Sequence, residues 1–129
     1  MEIGNALNWF EIPVSDFERA KKFYETIFDY QMPENQMGLA RMGFLLFDFQ
    51  NGKVGGAIVH NPGFYTPATN GTLVYLNCGP DLQVALDRVL LAGGKIIQEK
   101  EQISTEQQLG FWAVIIDSEG NRVALHSMA

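Results

Sequence analysis

Few residues of this chain have the chemistry to act on a ligand, and their spacing groups them. Glu11 stands in Trp9-Phe10-Glu11-Ile12-Pro13-Val14, where Phe10, Ile12 and Val14 alternate with Trp9, Glu11 and Pro13. That period of two marks a half-buried strand, so Trp9 and Glu11 share the face the apolar set does not use. The same parity in Leu73–Cys78 leaves Leu73, Tyr75 and Asn77 opposite Val74, Leu76 and Cys78. In Arg122–Ser127, Val123 and Leu125 are the apolar set, leaving Arg122, Ala124 and His126. Glu11 is then either an acid or base for a ligand proton or a solvated strand residue. His126 is a general base near neutral pH or a structural hydrogen-bonder. Trp9 offers an apolar wall, and Tyr75 and Asn77 either orient a ligand by hydrogen bonds or pack. His60, just before Asn61-Pro62-Gly63, is expected to be exposed, while Phe111 and Trp112 read as core. There is no P-loop, GxGxxG or HExxH pattern.

The elements that must position these groups repeat. After the first strand, Ser15 and Glu18 form a Ser-x-x-Glu capping box, and Phe17, Ala20, Tyr24, Ile27 and Phe28 follow at helical spacing. Phe44–Phe49 reads as a strand, and Asn51-Gly52 as a type I′ turn into the strand Val54–His60. Gly55-Gly56 inside that strand suggests a bulge or a close backbone approach. A connector over 61–71 leads to the second half. There Asp16, Phe17 and Ala20 find counterparts in Asp81, Leu82 and Ala85, at the head of a helix with the stripe Leu82, Ala85, Leu86, Val89 and Leu90. Gly93-Gly94 ends it, and Lys95–Gln98, Phe111–Asp117 and Arg122–Ser127 are strands. With a loop and short strand over 31–42, each half reads strand, helix, strand, strand, strand: a duplicated βαβββ module in an α+β domain, with modules over 1–60 and 72–129.

Composition bounds the function. The 129 residues are 47% hydrophobic, a single domain's worth with a real core. No apolar run approaches a membrane span, and the start lacks the basic and apolar regions of a secretory signal. The single cysteine, Cys78, excludes an internal disulfide, fits a reducing compartment, and reads as a small buried hydrophobe. Cytoplasmic localisation is therefore expected. A net charge of −6 without a Lys/Arg cluster argues against nucleic acid as a partner.

The run Val14-Ser15-Asp16-Phe17-Glu18-Arg19-Ala20 followed by Phe23-Tyr24 resembles the opening of vicinal oxygen chelate proteins, the glyoxalase/bleomycin resistance/dioxygenase superfamily. Gly55-Gly56, Gly71-Thr72-Leu73-Val74-Tyr75-Leu76, Ala92-Gly93-Gly94-Lys95 and Asp117-Ser118-Glu119-Gly120-Asn121-Arg122 continue the resemblance in order. It implies paired βαβββ modules whose sheets curl into a ligand-holding cup, and commonly a homodimer. It also implies a metal on four side chains, one from the first and one from the last strand of each module. Carried over residue by residue, those positions fall on Trp9, on Ile58 or His60, on Leu73 or Val74, and on Ala124. At least three cannot ligate a divalent metal. The chain is therefore similar to the branch lacking the metal ligands, and no cofactor is expected.

The function expected is binding of a small, partly apolar molecule in the cup. It is either a metal-independent isomerase or lyase using Glu11 or His126, or a sequestering protein of bleomycin-resistance type. A third reading keeps a metal on relocated ligands among Glu11, His60 and His126.

Overall fold

The computed structural model describes residues 2–129. In chain order the elements are β1 (Trp9–Pro13), α1 (Phe17–Phe28), β2 (Glu34–Met37), β3 (Ala40–Phe44) and β4 (Gly55–His60), then β5 (Tyr75–Asn77), α2 (Gln83–Leu86), α3 (Val89–Ala92), β6 (Lys95–Gln102), β7 (Phe111–Ile116) and β8 (Arg122–Ser127). They form two four-stranded sheets of like topology, β1-β4-β3-β2 and β5-β8-β7-β6, with the first and last strands of each module parallel. The duplicated architecture expected from the sequence is the one observed. Alternation along β1 sends Ile12 into the core with Val14 just beyond, beside Phe17, Ala20, Phe23, Tyr24 and Ile27 of α1. Leu76, Leu82, Leu86, Val89, Ile115, Val123 and Leu125 from the second module join the same cluster. The helices of the two modules thus meet in one core, and each sheet turns its other face away from it.

Several local expectations give way to longer-range contacts. The cap of α1 is Asp16, whose carboxylate accepts from the Arg19 N–H at 3.1 Å, and not a Ser15–Glu18 box. Ser15 instead donates its N–H and hydroxyl to Glu119 at 3.0 and 3.1 Å, because that carboxylate reaches across from the β7–β8 turn. Glu18 pairs with Arg41. The strand expected over Phe44–Phe49 lies earlier, ending at Phe44, since Asp48 caps a 3-10 turn over Phe49–Asn51. Asn51-Gly52 therefore sits at that turn's end, with Gly52 at φ 67°, and makes no two-residue hairpin. Gly55-Gly56 serves close approach without a bulge. A Cβ on Gly55 would lie 2.3 Å from the Phe47 ring, and one on Gly56 2.5 Å from the Phe10 ring. The second helix is split at Asp87–Arg88, where the Arg88 N–H bonds Ala85 O three residues back. Leu90 drops out of its stripe and is 66% exposed.

A polar joint fastens the modules. Glu119 accepts from the Asp16 N–H at 2.7 Å, Arg19 Nε at 2.6 Å and the Ser118 hydroxyl at 3.0 Å, besides Ser15. Next to it buried Asp117 accepts from the Tyr24 hydroxyl at 2.7 Å, and Asn121 Nδ2 donates to Pro13 O at 2.7 Å. Burial alone would raise the Glu119 carboxyl. Arg19, the Asp16 amide, Ser118 and Ser15 outweigh it and hold the group at about 2. A carboxyl lowered in the folded state gives stability that is present above its unfolded value of 4.5 and is lost as pH falls toward 2. Glu119→Ala is expected to cost about 1–3 kcal/mol, because it removes the buried carboxylate that the Ser15, Asp16 and Arg19 donors share. Glu119→Gln should flatten the pH dependence of the urea midpoint between pH 4.5 and 2, measured against the unsubstituted protein.

Candidate functional site

The open faces of the sheets carry the residues singled out by strand parity, divided between two surfaces. On the first sheet, Trp9 makes edge contacts with Phe44 and Phe47, ring centroids 6.0 and 5.8 Å away. Glu11, two residues along the same face, accepts a hydrogen bond from the Tyr65 hydroxyl. Tyr65 belongs to the segment between β4 and β5, and its ring packs on the buried group Met42, Ala57 and Val59. The bond to Glu11 pushes the Tyr65 phenol up.

On the second sheet the register sets two rows. Tyr75, Ala124, Val114 and Gln98 stand side by side across β5, β8, β7 and β6. Asn77, His126, Trp112 and Glu101 form the next row. The Tyr75 and Trp112 rings stack with centroids 5.9 Å apart and planes within 10°, and Ala124 between their strands is fully buried. Tyr75, Asn77 and His126 line a cavity of about 470 Å³ with Gly79, Ser127 and Met128. Trp9 and Glu11 do not line it. The structure therefore brings together Tyr75, Asn77 and His126, and separately Trp9 and Glu11.

The hydrogen bonds fix some of the chemistry. His126 Nε2 lies 2.8 Å from Leu109 O, and a carbonyl only accepts, so Nε2 carries the proton. Nδ1 is left as the ring nitrogen available to a ligand. Asn77 Oδ1 accepts from the Gly79 N–H at 2.9 Å, which leaves Nδ2 as the donor end. Cys78 faces the core, and burial pushes its thiol up to about 11, so it is no nucleophile at neutral pH.

The strand pairing also settles which positions match the superfamily's metal ligands. Val14 N–H bonds Val59 O and Cys78 N–H bonds His126 O, making Val14 equivalent to Cys78 and Val59 to His126. Trp9 then corresponds to Leu73, and Ala124 to Ala57. Ile58 lies in the core and His60 shares its side of β4, so neither takes the hairpin position. Trp9, Ala57, Leu73 and Ala124 supply no acceptor atom, the indole being a donor only, so the positions do not fit a metal. Among the described residues no three His, Cys, Asp or Glu side chains come close enough to hold a metal ion.

Three residues of these faces escaped the parity argument. Trp112, taken as core, lies on the open face because β7 pairs Trp112 with His126, while Phe111 packs against the core as expected. Tyr65 comes from a segment with no periodicity. Gln98 is turned outward by a register shift between Ile96 and Gln98. Its Nε2 is buried without a hydrogen-bond partner. An orphaned buried donor costs about 1–3 kcal/mol, so Gln98→Met is expected to stabilise the free protein by about 1 kcal/mol in urea unfolding.

Comparison with known proteins agrees with this geometry. The bleomycin resistance protein-like N-terminal family profile matches residues 7–43. A glyoxylase/bleomycin resistance protein/dioxygenase domain from Frankia sp. EAN1pec superposes with a TM-score of 0.69 at 13% identity, over 97% of this chain and 98% of that one. A glyoxalase/bleomycin resistance protein from Albidiferax ferrireducens T118 gives 0.65 at 17%, over 94% and 97%. Glyoxalase I from Zea mays gives 0.66 at 20% over 95% of this chain, which spans only 46% of that enzyme's length. No curated protein matches the sequence. The fold is the glyoxalase/bleomycin resistance/dioxygenase fold, and the resemblance to the vicinal oxygen chelate superfamily seen in the sequence holds at that level.

Proposed function

We propose that the protein binds a small, partly apolar molecule between an open face of the first sheet and an open face of the second. The observation that carries this is that each face presents one acid–base group beside aromatic walls. Glu11 stands with Trp9 on one, and His126 with Tyr75 and Trp112 on the other. Within one chain these faces belong to separate sheets whose first strands, β1 and β5, are both edges. A second copy, related by a two-fold axis, would set its second sheet beside this chain's first and complete two equal cups. The reaction class is proton transfer without a metal, as in an isomerase or lyase, with Glu11 and His126 as the acid–base pair. The lack of a lone-pair ligand atom at Trp9, Ala57, Leu73 and Ala124 supports the absence of a metal.

A specific observation favours a second reading, binding without turnover. Glu11 is already held by Tyr65, and His126 by Leu109 O, so both have structural employment. In that case the cup retains its ligand unchanged, as a sequestering protein does. The membrane plays no part in either reading, and no helix among the described residues is long and apolar enough to cross one.

Native mass spectrometry of untagged protein from its own host is expected to show a retained small molecule. Glu11→Gln should keep the fold and lose that molecule or its conversion, since an amide replaces a carboxylate in shape but not in charge. A molecule retained equally by the unsubstituted and Glu11→Gln proteins would remove Glu11 from the site. Light scattering at micromolar concentration is expected to give twice the 14.4 kDa chain mass. Elemental analysis should find well under one nickel, zinc, iron or manganese per chain.

A further inference from the structure

A second, larger cavity lies at the seam between the modules and meets the second sheet's open face at Tyr75 and Asn77. It measures about 670 Å³, within the range of small-molecule sites. One wall comes from the first module, with Phe10, Phe28, Leu45 and Phe47, and the other from the run Thr72–Asn77 that leads into β5. Phe10 and Phe28 flank the central core, so the cavity is a place where that core opens sideways. Its outline depends on Gly56, where a Cβ would strike the Phe10 ring that forms the wall.

The charged groups at this cavity are unequal. Asp48 keeps its charge but is held in its own turn, its carboxylate accepting from the Asn51 N–H at 3.3 Å and Asn51 Nδ2 at 2.6 Å. Lys53, five residues on, also lines the cavity, is exposed, and makes no ion pair among the described residues. An apolar chamber with one uncommitted ammonium at its wall is complementary to an apolar anion.

We propose that the inter-module cavity is a binding site in its own right for an aromatic carboxylate. The ring lies among Phe10, Phe28 and Phe47, and the carboxylate pairs with Lys53. This site adjoins the cup without sharing its acid–base groups, because Glu11 and His126 do not line it. Tyr75 and Asn77 stand at the wall between the two, lining both cavities.

The experiment is calorimetric titration of the full chain with 2-naphthoate and with its neutral analogue 2-naphthamide. The unsubstituted protein is expected to bind naphthoate about tenfold more tightly than naphthamide, the scale of one charge-assisted hydrogen bond. Lys53→Gln should erase that difference while leaving the naphthamide affinity in place. Val74→Trp, which fills the chamber, should abolish binding of both. If Val74→Trp fails to fold, Leu46→Trp at an exposed lining position is used instead, with the same expectation. Equal affinity for the two probes in the unsubstituted protein, no binding of either at millimolar concentration, or binding that survives the filling substitution would each overturn the proposal. The Lys53→Gln comparison reads this site alone, since Lys53 lines this cavity and not the one with His126.

Discussion

The joint between the modules rests on the Glu119 carboxylate. It sits in the turn joining the last two strands of the second module, yet it satisfies the amides that open the first helix of the first module. A helix N-terminus leaves unpaired N–H groups that attract negative charge, and here another module supplies the charge. Asp117, Asn121 and Tyr24 extend the joint inward, with Asn121 Oδ1 also accepting from the Ala68 N–H of the segment between the modules. A buried polar network of this kind is costly unless complete, and its completeness specifies one packing of the two halves. Hydrophobic contact alone, between Phe17, Phe23, Leu82 and Leu86, would tolerate sliding.

That packing determines which faces of the sheets stay open. Because the helices of both modules meet in the middle, the helix-free faces are left on the outside, one per sheet. Trp9 and Tyr75 are accordingly among the exposed large apolar residues, at 36% and 49% exposure. An antiparallel face without a covering layer must be solvated, buried or used. Tyr65 covers part of the first face and the Tyr75–Trp112 stack part of the second. Neither covering closes the face, and both leave a polar group at its rim.

Strand parity was legible in the sequence because each strand has a helix on one side only. In β1, β5 and β8, simple alternation separated the core set from Trp9, Glu11, Tyr75, Asn77 and His126, and the burial of Ile12, Leu76, Val123 and Leu125 agrees. What was illegible depends on partners far along the chain or on register. The capping of Ser15 comes from Glu119, 104 residues away, and no local pattern announces it. Gln98 faces outward only because β6 carries an extra residue against β7, which inverts the parity that Ile96 would predict. Tyr65 reaches Glu11 from an aperiodic stretch whose course is fixed by the turn at Asn61, where Phe64 and Tyr65 N–H both bond Asn61 O. The superfamily's metal positions were half legible. Trp9 and Ala124 followed from flanking motifs, while Ala57 and Leu73 needed the parallel pairing of β1 with β4 and β5 with β8.

The identity of those positions limits the chemistry of the faces. Ala57 and Ala124 are fully buried. A methyl group at each stands where the superfamily's chelating side chains would, so each open face is apolar at its middle. The polar groups lie off that centre, with Glu11 held by Tyr65 and His126 held by Leu109 O. Under the proposed function, an apolar floor with Glu11 and His126 at its margins would suit a flat molecule lying on the sheet. Such a molecule meets the groups at its edges, where they can hold or move a proton but cannot polarise one oxygen from several sides at once. A chelated, doubly coordinated substrate oxygen needs convergent ligands. Edge-on contact, as in the two-chain cup proposed above, needs only that the faces be brought opposite each other.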